Sequence, residues 1–185
     1  KLYKKFCPGP ITFILKLKKS SHISKYVSNN KNTLAVRFPK HLVTRKLLSV
    51  LDYPLAAPSA NISNSISSVS KEDVKDEFGN KVKFVLNGGR SSIGLESTIV
   101  SLIKKPEVLR LGGVEIKKIN KILKKKMIFN SKNIKVKAPG QNKFHYSPGI
   151  PIKLNVKIPK KNDAYILIEK RKTSYKNYYY LTKNK

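Results

Sequence analysis

The 185-residue chain is long enough for one complete domain and part of a second. Its single cysteine, Cys7, excludes an internal disulfide framework and favours a reducing cytoplasm, and no apolar run reaches the length that spans a membrane. The formal charge of +30 comes from 40 basic and 10 acidic residues spread along the chain, so a solvated surface accounts for most of it, while contact with a nucleic acid stays open.

The first half of the chain predicts strands and helices in alternation. Residues 11–17 and 33–38 are rich in β-branched and apolar side chains and predict two strands. Residues 41–51 place apolar side chains at helical spacing and predict an amphipathic helix. A further apolar strand is expected to end abruptly in a polar loop within residues 53–61.

The second half continues the same mixture. Ser70 is a suitable N-cap for a short helix through Phe78, with Gly79 just past its end. Further strands are expected at residues 81–86, 98–103 and 108–111, and a helix at residues 116–123. Periodicity is lost from residue 127 to 148, and strands are expected again at residues 152–154 and 164–168. The pattern predicts a two-layer α/β domain followed by a linker and a second domain.

The loop at residues 53–61 is the segment that most strongly indicates a ligand. Its sequence, Tyr-Pro-Leu-Ala-Ala-Pro-Ser-Ala-Asn, combines small residues, which let a ligand approach the backbone, with hydroxyl and amide donors. Two prolines restrict its freedom. Taken alone, such a string is also typical of a polar turn after a buried strand.

Several other strings accompany this loop in a fixed order: Phe-Cys-Pro-Gly-Pro at residues 6–10, Thr-Leu-Ala-Val-Arg-Phe-Pro at 33–39, Gly-Leu-Glu-Ser-Thr-Ile-Val at 94–100, Leu-Arg-Leu-Gly-Gly at 109–113 and His-Tyr-Ser-Pro at 145–148. In this order and at these spacings, the set resembles the threonylcarbamoyl-AMP synthase family, whose core is a YrdC-like domain. The resemblance extends from the first residue to about Pro151.

The resemblance implies an α/β fold with three parts. Residues 1–126 would form the C-terminal part of a YrdC-like catalytic domain, a twisted mixed sheet with covering helices. Residues 127–150 would be a linker and lid, and residues 151–185 the start of a small Rossmann-like domain. We expect a chain truncated at both ends. The family pattern places a threonine-binding segment and a basic ATP-binding segment before Phe-x-Pro-Gly-Pro, and residues 178–185 are typical of a strand that leaves into a loop. On its own the chain would be weakly active or inactive.

The resemblance also implies a reaction. Family members form threonylcarbamoyl-AMP from L-threonine, bicarbonate and ATP, release pyrophosphate, and supply the threonylcarbamoyl transferase machinery that modifies tRNA. This nucleotidyl transfer depends on positioning and charge stabilisation. Mg²⁺ would be carried by the ATP phosphates. Cys7 and the three histidines lack metal-ligand spacing, and Cys7 is interpreted as a packing residue.

The residue roles follow from the same resemblance. The expected ATP-binding residues are Thr33, Ser59, Asn61, Ser67, Arg110 and Tyr146, and the expected threonine-binding residues are Arg37, Ala57 and Ser97. Without its motif, Arg37 would be read as a surface ion pair. A nucleophilic role for Ser97 is disfavoured because the Gly-x-Ser-x-Gly elbow is missing around it. Glu96 is either a structural carboxylate or a partner of a binding residue.

Two other functions remain open at this stage. One is a carbamoyl-transferring maturation enzyme with a similar YrdC-like domain. The other is a non-enzymatic RNA-binding module, which would also account for the positive charge. Such a module would show strong, salt-dependent RNA binding without any effect of threonine.

Overall fold

The computed structural model describes residues 1–62, 65–127, 150–168 and 177–181, which belong to two compact units, Lys1–Gly149 and Ile150–Lys185. The described helices of the first unit are α1 (Leu2–Phe6), α2 (Lys25–Ser28), α3 (Leu42–Ser49), α4 (Lys71–Phe78) and α5 (Ile116–Leu123). Its described strands are β1 (Ile11–Lys16), β2 (Thr33–Arg37), β3 (Thr98–Ser101) and β4 (Glu107–Arg110). Within the described residues, no helix is long and apolar enough to cross a membrane.

The four strands form one mixed sheet in the order β2-β1-β3-β4. β1 is antiparallel to β2 and parallel to β3, and β3 is antiparallel to β4. The short β3–β4 connection makes that antiparallel pair simple to form, whereas the parallel β1–β3 pair needs the long crossover that carries α2, β2, α3 and α4. The loops of that crossover contain most of the predicted site residues.

One face of the sheet is buried beneath α1 and α5. Alternate residues of each strand point to this face, and the apolar periodicity of α5 places Ile119, which is 0 % exposed, against them. Thr98 fixes the turn before α5, because its Oγ1 donates to the Val114 carbonyl at 2.7 Å and accepts from the Val114 N–H at 2.9 Å. The buried core of this face consists of Leu2, Ile11, Phe13, Val100, Val108, Val114, Ile119 and Met127.

Cys7 packs at the edge of this core. Burial raises the pKa of its thiol, so the unreactive protonated form is favoured at neutral pH. This environment agrees with the interpretation of Cys7 as a packing residue.

Helix α4 is capped at both ends as the sequence predicts. The Ser70 side chain accepts from the Asp73 N–H, and the Asp73 carboxylate accepts from the Val69 and Ser70 N–H groups at 2.9 and 3.1 Å. The Val69 contact is the largest of the causes that lower the pKa of Asp73. This cap also holds the backbone of Val69 and Ser70, which lead into the helix from the candidate site.

The second unit contains one described strand pair, β5 (Tyr165–Leu167) and β6 (Tyr178–Tyr180), which is parallel. The Tyr165 hydroxyl donates to the Val156 carbonyl at 2.7 Å. A parallel pair is typical of α/β domains. A Rossmann-like arrangement of the whole unit stays a prediction.

Three predicted strands are wrong. Residues 53–61, 82–86 and 152–154 are all described and lie outside the helices and strands, while Lys81 ends a 3-10 helix, Gly79–Lys81. In residues 81–86 the apolar side chains alternate as in a strand, but Phe84 is 88 % exposed, so nothing in the described structure packs on it. A strand needs a partner for its backbone hydrogen bonds, and periodicity alone does not supply one. The predicted helix at 41–51 is shorter, α3 ending at Ser49, and the short helices α1 and α2 were not predicted.

Candidate functional site

A row of four residues crosses the other face of the sheet. Arg37 on β2 pairs with Thr12 on β1, Thr12 with Ile99 on β3, and Ile99 with Arg110 on β4. Residues that pair directly point to the same face of a sheet, so the two arginines share one face, separated by roughly 14 Å at the usual strand spacing. The predicted threonine-binding and ATP-binding arginines therefore lie on one surface.

A β-bulge sets the position of Arg110. Val100 pairs with Val108 and Ile99 with Arg110, so Leu109 is the extra residue on β4. Leu109 packs with Ile99 and Ile14 in a small cluster on this face. The bulge turns Arg110 toward Ser97 at the start of β3.

Arg110 and Ser97 are joined by several hydrogen bonds. Arg110 Nε and Nη2 donate to the Ser97 carbonyl oxygen at 3.1 and 3.0 Å, and Nη2 also donates to Ser97 Oγ at 3.1 Å. Ser97 Oγ is in turn 2.7 Å from Thr12 Oγ1, and both residues are buried. The planar guanidinium suits this two-pronged contact, which a lysine cannot reproduce.

Glu96 connects this cluster to the loop before α4. Its Oε1 accepts from Ser67 Oγ at 2.5 Å, and its Oε2 lies 3.7 Å from Arg110 Nη2. Two predicted ATP-binding residues, Ser67 and Arg110, are thus brought together by one carboxylate. Glu96 contacts both side chains, and its role as a partner of binding residues stays a prediction.

The loop that carries Ala57, Ser59 and Asn61 is exposed and irregular, and its end is held by side chains. Ser68 Oγ donates to the Ala60 carbonyl at 2.6 Å, and the Ile62 N–H donates to Glu77 Oε1 at 2.6 Å. Asn61 Nδ2 donates to the carbonyls of Ile62 and Ser65 at 2.9 and 3.1 Å, so this amide holds the loop's own backbone. Ala57 and Ser59 are left facing solvent.

The remaining predicted residues are less closely associated. Arg37 is exposed, and its Nε donates to the Gly9 carbonyl at 3.4 Å. Thr33 pairs with Lys16 at the other end of β2, roughly 13 Å along the strand from Arg37. Tyr146 and the proposed lid lie outside the described residues. The binding roles of all these residues stay predictions.

Sequence reasoning missed three contributors: Thr12, Ser68 and Glu77. Each lies in a segment that was noticed for another reason, and each acts through a partner distant in sequence. The acidic residues could have pointed to these contacts, because only 10 occur beside 40 basic residues and each is therefore a candidate for a specific role. Glu96, Glu77 and Asp73 all hold segments of the site.

No group of three or more His, Cys, Asp or Glu residues suited to a metal ion occurs among the described ranges. The donors of this site are guanidinium, hydroxyl and amide groups. Such groups bind anions, carboxylates and nucleotides.

The comparisons with known proteins bear on this site. The Sua5/YciO/YrdC family model, described as "Telomere recombination", matches residues 1–112, more than half of the chain. The chain belongs to the Sua5/YciO/YrdC family. The sheet, the bulge and the two arginines described above all lie within the matched residues.

Relatives and a solved structure agree with this membership. The threonylcarbamoyl-AMP synthase of Pyrococcus abyssi is 35 % identical over 82 % of this chain and 45 % of its own length. That of Schizosaccharomyces pombe is 34 % identical over 91 % of this chain and 44 % of its own length. The crystal structure of P. abyssi Sua5 complexed with L-threonine matches 99 % of this chain and 59 % of its own, with a TM-score of 0.82 and 30 % identity. The chain spans about half the length of the curated relatives.

The buried hydrogen bond between Thr12 Oγ1 and Ser97 Oγ gives a first testable prediction. Under the function proposed below, in which threonine is a substrate, we expect Thr12→Val to raise the KM for threonine about fivefold, because Ser97 Oγ loses a buried hydrogen-bond partner worth about 1 kcal/mol. The measurement is steady-state kinetics on the protein expressed from its natural start codon to its natural stop codon, called the natural-length protein below. Thr12→Ser keeps the hydroxyl and should stay within about twofold of wild type. If Thr12→Val and Thr12→Ser had the same KM for threonine, the Thr12 hydroxyl would not be needed to position Ser97.

The close approach of Gly112 to the backbone of Glu96 and Ser97 gives a second prediction. A Cβ on Gly112 would overlap the Glu96 carbonyl oxygen and lie 2.6 Å from the Ser97 carbonyl carbon and the Thr98 nitrogen. These are backbone atoms of the sheet, so Gly112→Ala should lower the free energy of unfolding by about 2 kcal/mol, measured by urea denaturation. The matched control is Leu111→Ala, whose side chain is 53 % exposed and should have little effect. If both variants unfolded at the same urea concentration, the close approach at Gly112 would be unimportant.

Proposed function

We propose that the natural-length protein is an L-threonylcarbamoyladenylate synthase. The observation that carries the proposal is the placement of Arg37 and Arg110 on one face of the sheet, with the buried Ser97 hydrogen-bonded to Arg110. A guanidinium at each end of that row suits one substrate with a carboxylate and another with phosphates. The similarity to synthases from an archaeon and a yeast supports this assignment.

In the proposed reaction, the amine of threonine combines with bicarbonate to give a carbamate, with loss of water. A carbamate oxygen then attacks the α-phosphorus of ATP, the bond to the β-phosphate breaks, and pyrophosphate leaves. Arg37 would hold the threonine carboxylate, with Ala57 and Ser97 beside the amino acid. Arg110, Ser67 and Thr33 would contact ATP, as would Ser59 and Asn61 of the exposed loop. These residues orient and stabilise charge, which is what this transfer requires.

Further parts of the proposal concern segments and partners beyond the sheet. Tyr146 would close over the nucleotide and exclude water. Mg²⁺ would arrive on the ATP phosphates, since hard oxygen ligands of the triphosphate satisfy it. The product would pass to the cytoplasmic machinery that modifies tRNA, and the lysine-rich surface would favour double-stranded RNA contact in low salt.

Pyrophosphate release from ATP by the natural-length protein tests the proposal. We expect release that requires both threonine and bicarbonate and that falls about tenfold or more in Ser59→Ala, where a ligand hydroxyl is lost. Ser49→Ala is the matched control, because Ser49 is exposed on α3 and its hydroxyl donates to the Lys46 carbonyl. A folded protein without threonine-dependent release would contradict the proposal and favour carbamoyl transfer or RNA binding instead.

A further inference from the structure

Glu96 occupies an unexpected position for an acidic residue. Its carboxylate lies between Ser67 and Arg110, two of the residues proposed for ATP, and its Oε1 accepts from Ser67 Oγ at 2.5 Å. The side chains of Arg110 and Glu96 are only 13 % and 22 % exposed, so their charges are partly removed from water. A negative charge beside a triphosphate site opposes nucleotide binding unless it has a compensating role.

The backbone of Glu96 is held rigidly. Its carbonyl oxygen accepts from the Gly113 N–H at 2.8 Å, and Gly112 lies directly against that carbonyl. The loop around Ser67 is tied to the same region, since the Ser91 N–H donates to the Val69 carbonyl at 2.7 Å. A carboxylate on so fixed a backbone can set the position of both of its partners.

The Arg110 side chain and the loop around Ser67 would both bind a ligand better if their conformations were fixed beforehand. An arginine side chain carries about 2 kcal/mol of rotamer entropy, and part of that cost falls on ligand binding unless the guanidinium is already ordered. Arg110 is ordered on one side by the Ser97 carbonyl. Glu96 Oε2 lies 3.7 Å from the same Nη2 and restrains the guanidinium from a second direction.

We propose that Glu96 is a positioning residue for ATP, which fixes the Ser67 loop and the Arg110 guanidinium relative to each other before the nucleotide binds. The inference rests on the proposed function, because it takes the ligand of Ser67 and Arg110 to be ATP. It adds that a carboxylate outside the assigned binding set controls the affinity for the nucleotide more than that for threonine.

The test is a comparison of Glu96→Gln and Glu96→Ala in the natural-length protein, with Glu72→Gln on the exposed face of α4 as matched control. The Kd for ATP is measured by calorimetry, the KM values for ATP and threonine by pyrophosphate release, and folding by thermal unfolding. We expect Glu96→Gln to weaken ATP binding about tenfold and to leave the KM for threonine within about twofold. Glu72→Gln should change none of these values.

The Glu96→Gln variant also distinguishes a positioning role of Glu96 from a purely electrostatic effect of its negative charge on ATP binding. If Glu96 acted only as a negative charge, neutralising it would tighten ATP binding, and that result would overturn the inference. A double variant, Glu96→Ala with Ser67→Ala, should bind ATP about as weakly as Glu96→Ala alone, because the two residues act as one unit. Strictly additive losses would contradict the coupling.

The measurements also distinguish failure of the inference from failure of the proposed function. If Glu96→Gln weakened ATP binding while the wild-type protein showed no threonine-dependent turnover, the positioning role would be supported and the synthase assignment overturned. Normal turnover with unchanged ATP affinity in both Glu96 variants would overturn the positioning role alone. Equal shifts in both KM values with a lower Tm would assign Glu96 a general structural role. Absence of ATP binding by the folded wild type would overturn both.

Discussion

Arg110→Ala is expected to lower kcat/KM for ATP about a hundredfold in the natural-length protein, which corresponds to about 2.7 kcal/mol. The guanidinium joins three parts of the site: it donates to the carbonyl and hydroxyl of Ser97 and lies beside Glu96. Its removal takes away the charged group that we propose for binding ATP, and it deprives Ser97 and Glu96 of a partner. Steady-state pyrophosphate release, at varied ATP and saturating threonine, measures the effect.

Two further variants show whether geometry or charge is responsible. Arg110→Lys keeps the charge but cannot donate from two nitrogens to the Ser97 carbonyl, so we expect it to recover little of the loss. Arg45→Ala removes an exposed arginine on α3 and should have no measurable effect. Full activity in Arg110→Lys would mean that only the charge matters, and the proposed two-pronged geometry would be wrong.

Ile119→Ala should cause the largest loss of stability, about 3–4 kcal/mol in the free energy of unfolding. Ile119 is 0 % exposed and belongs to the core between α5 and the sheet. Truncation removes buried methyl and methylene groups and leaves a cavity that the strands cannot close. Urea denaturation followed by circular dichroism measures the change.

Leu42→Ala is the matched control, since it removes a similar volume from a side chain that is 72 % exposed on α3. We expect a change of no more than about 0.5 kcal/mol. If the two variants lost equal stability, the α5-on-sheet core would not be the main source of stability in this unit.

Most regular elements of the first unit were predictable, because all except the short helices α1 and α2 carry a local signal of their own. β1 and β2 are short runs of β-branched and apolar residues, and α5 repeats apolar residues at helical spacing. Ser70 and Gly79 delimit α4 as expected. These signals depend on a few neighbouring residues, so a single sequence contains them.

The wrong strands show the limit of that reasoning. Residues 81–86 alternate as a strand should, yet a strand exists only where another strand accepts its hydrogen bonds. Pairing is decided by residues far away in sequence. The same limit hid the row from Arg37 to Arg110, which depends on the register of three strand pairs and on the bulge at Leu109.

The contacts of the candidate site were not predictable from the sequence, and the binding roles of its residues stay predictions. Ser97 and Arg110 stand in the strings at residues 94–100 and 109–113, and the structure places them near Ser67 and Glu96. The connecting contacts through Thr12 and Glu96 join residues 85 and 29 positions apart. No periodicity or composition indicates which hydroxyl meets which carboxylate at such separations.

The most direct test of the proposed synthase activity is identification of its product by mass spectrometry. The natural-length protein would be incubated with ATP, threonine and isotopically labelled bicarbonate. We expect an adenylate that contains threonine and one labelled carbon, formed in parallel with pyrophosphate and strongly reduced in Arg110→Ala. An adenylate without the label, or pyrophosphate release that continues without threonine, would contradict the proposed reaction.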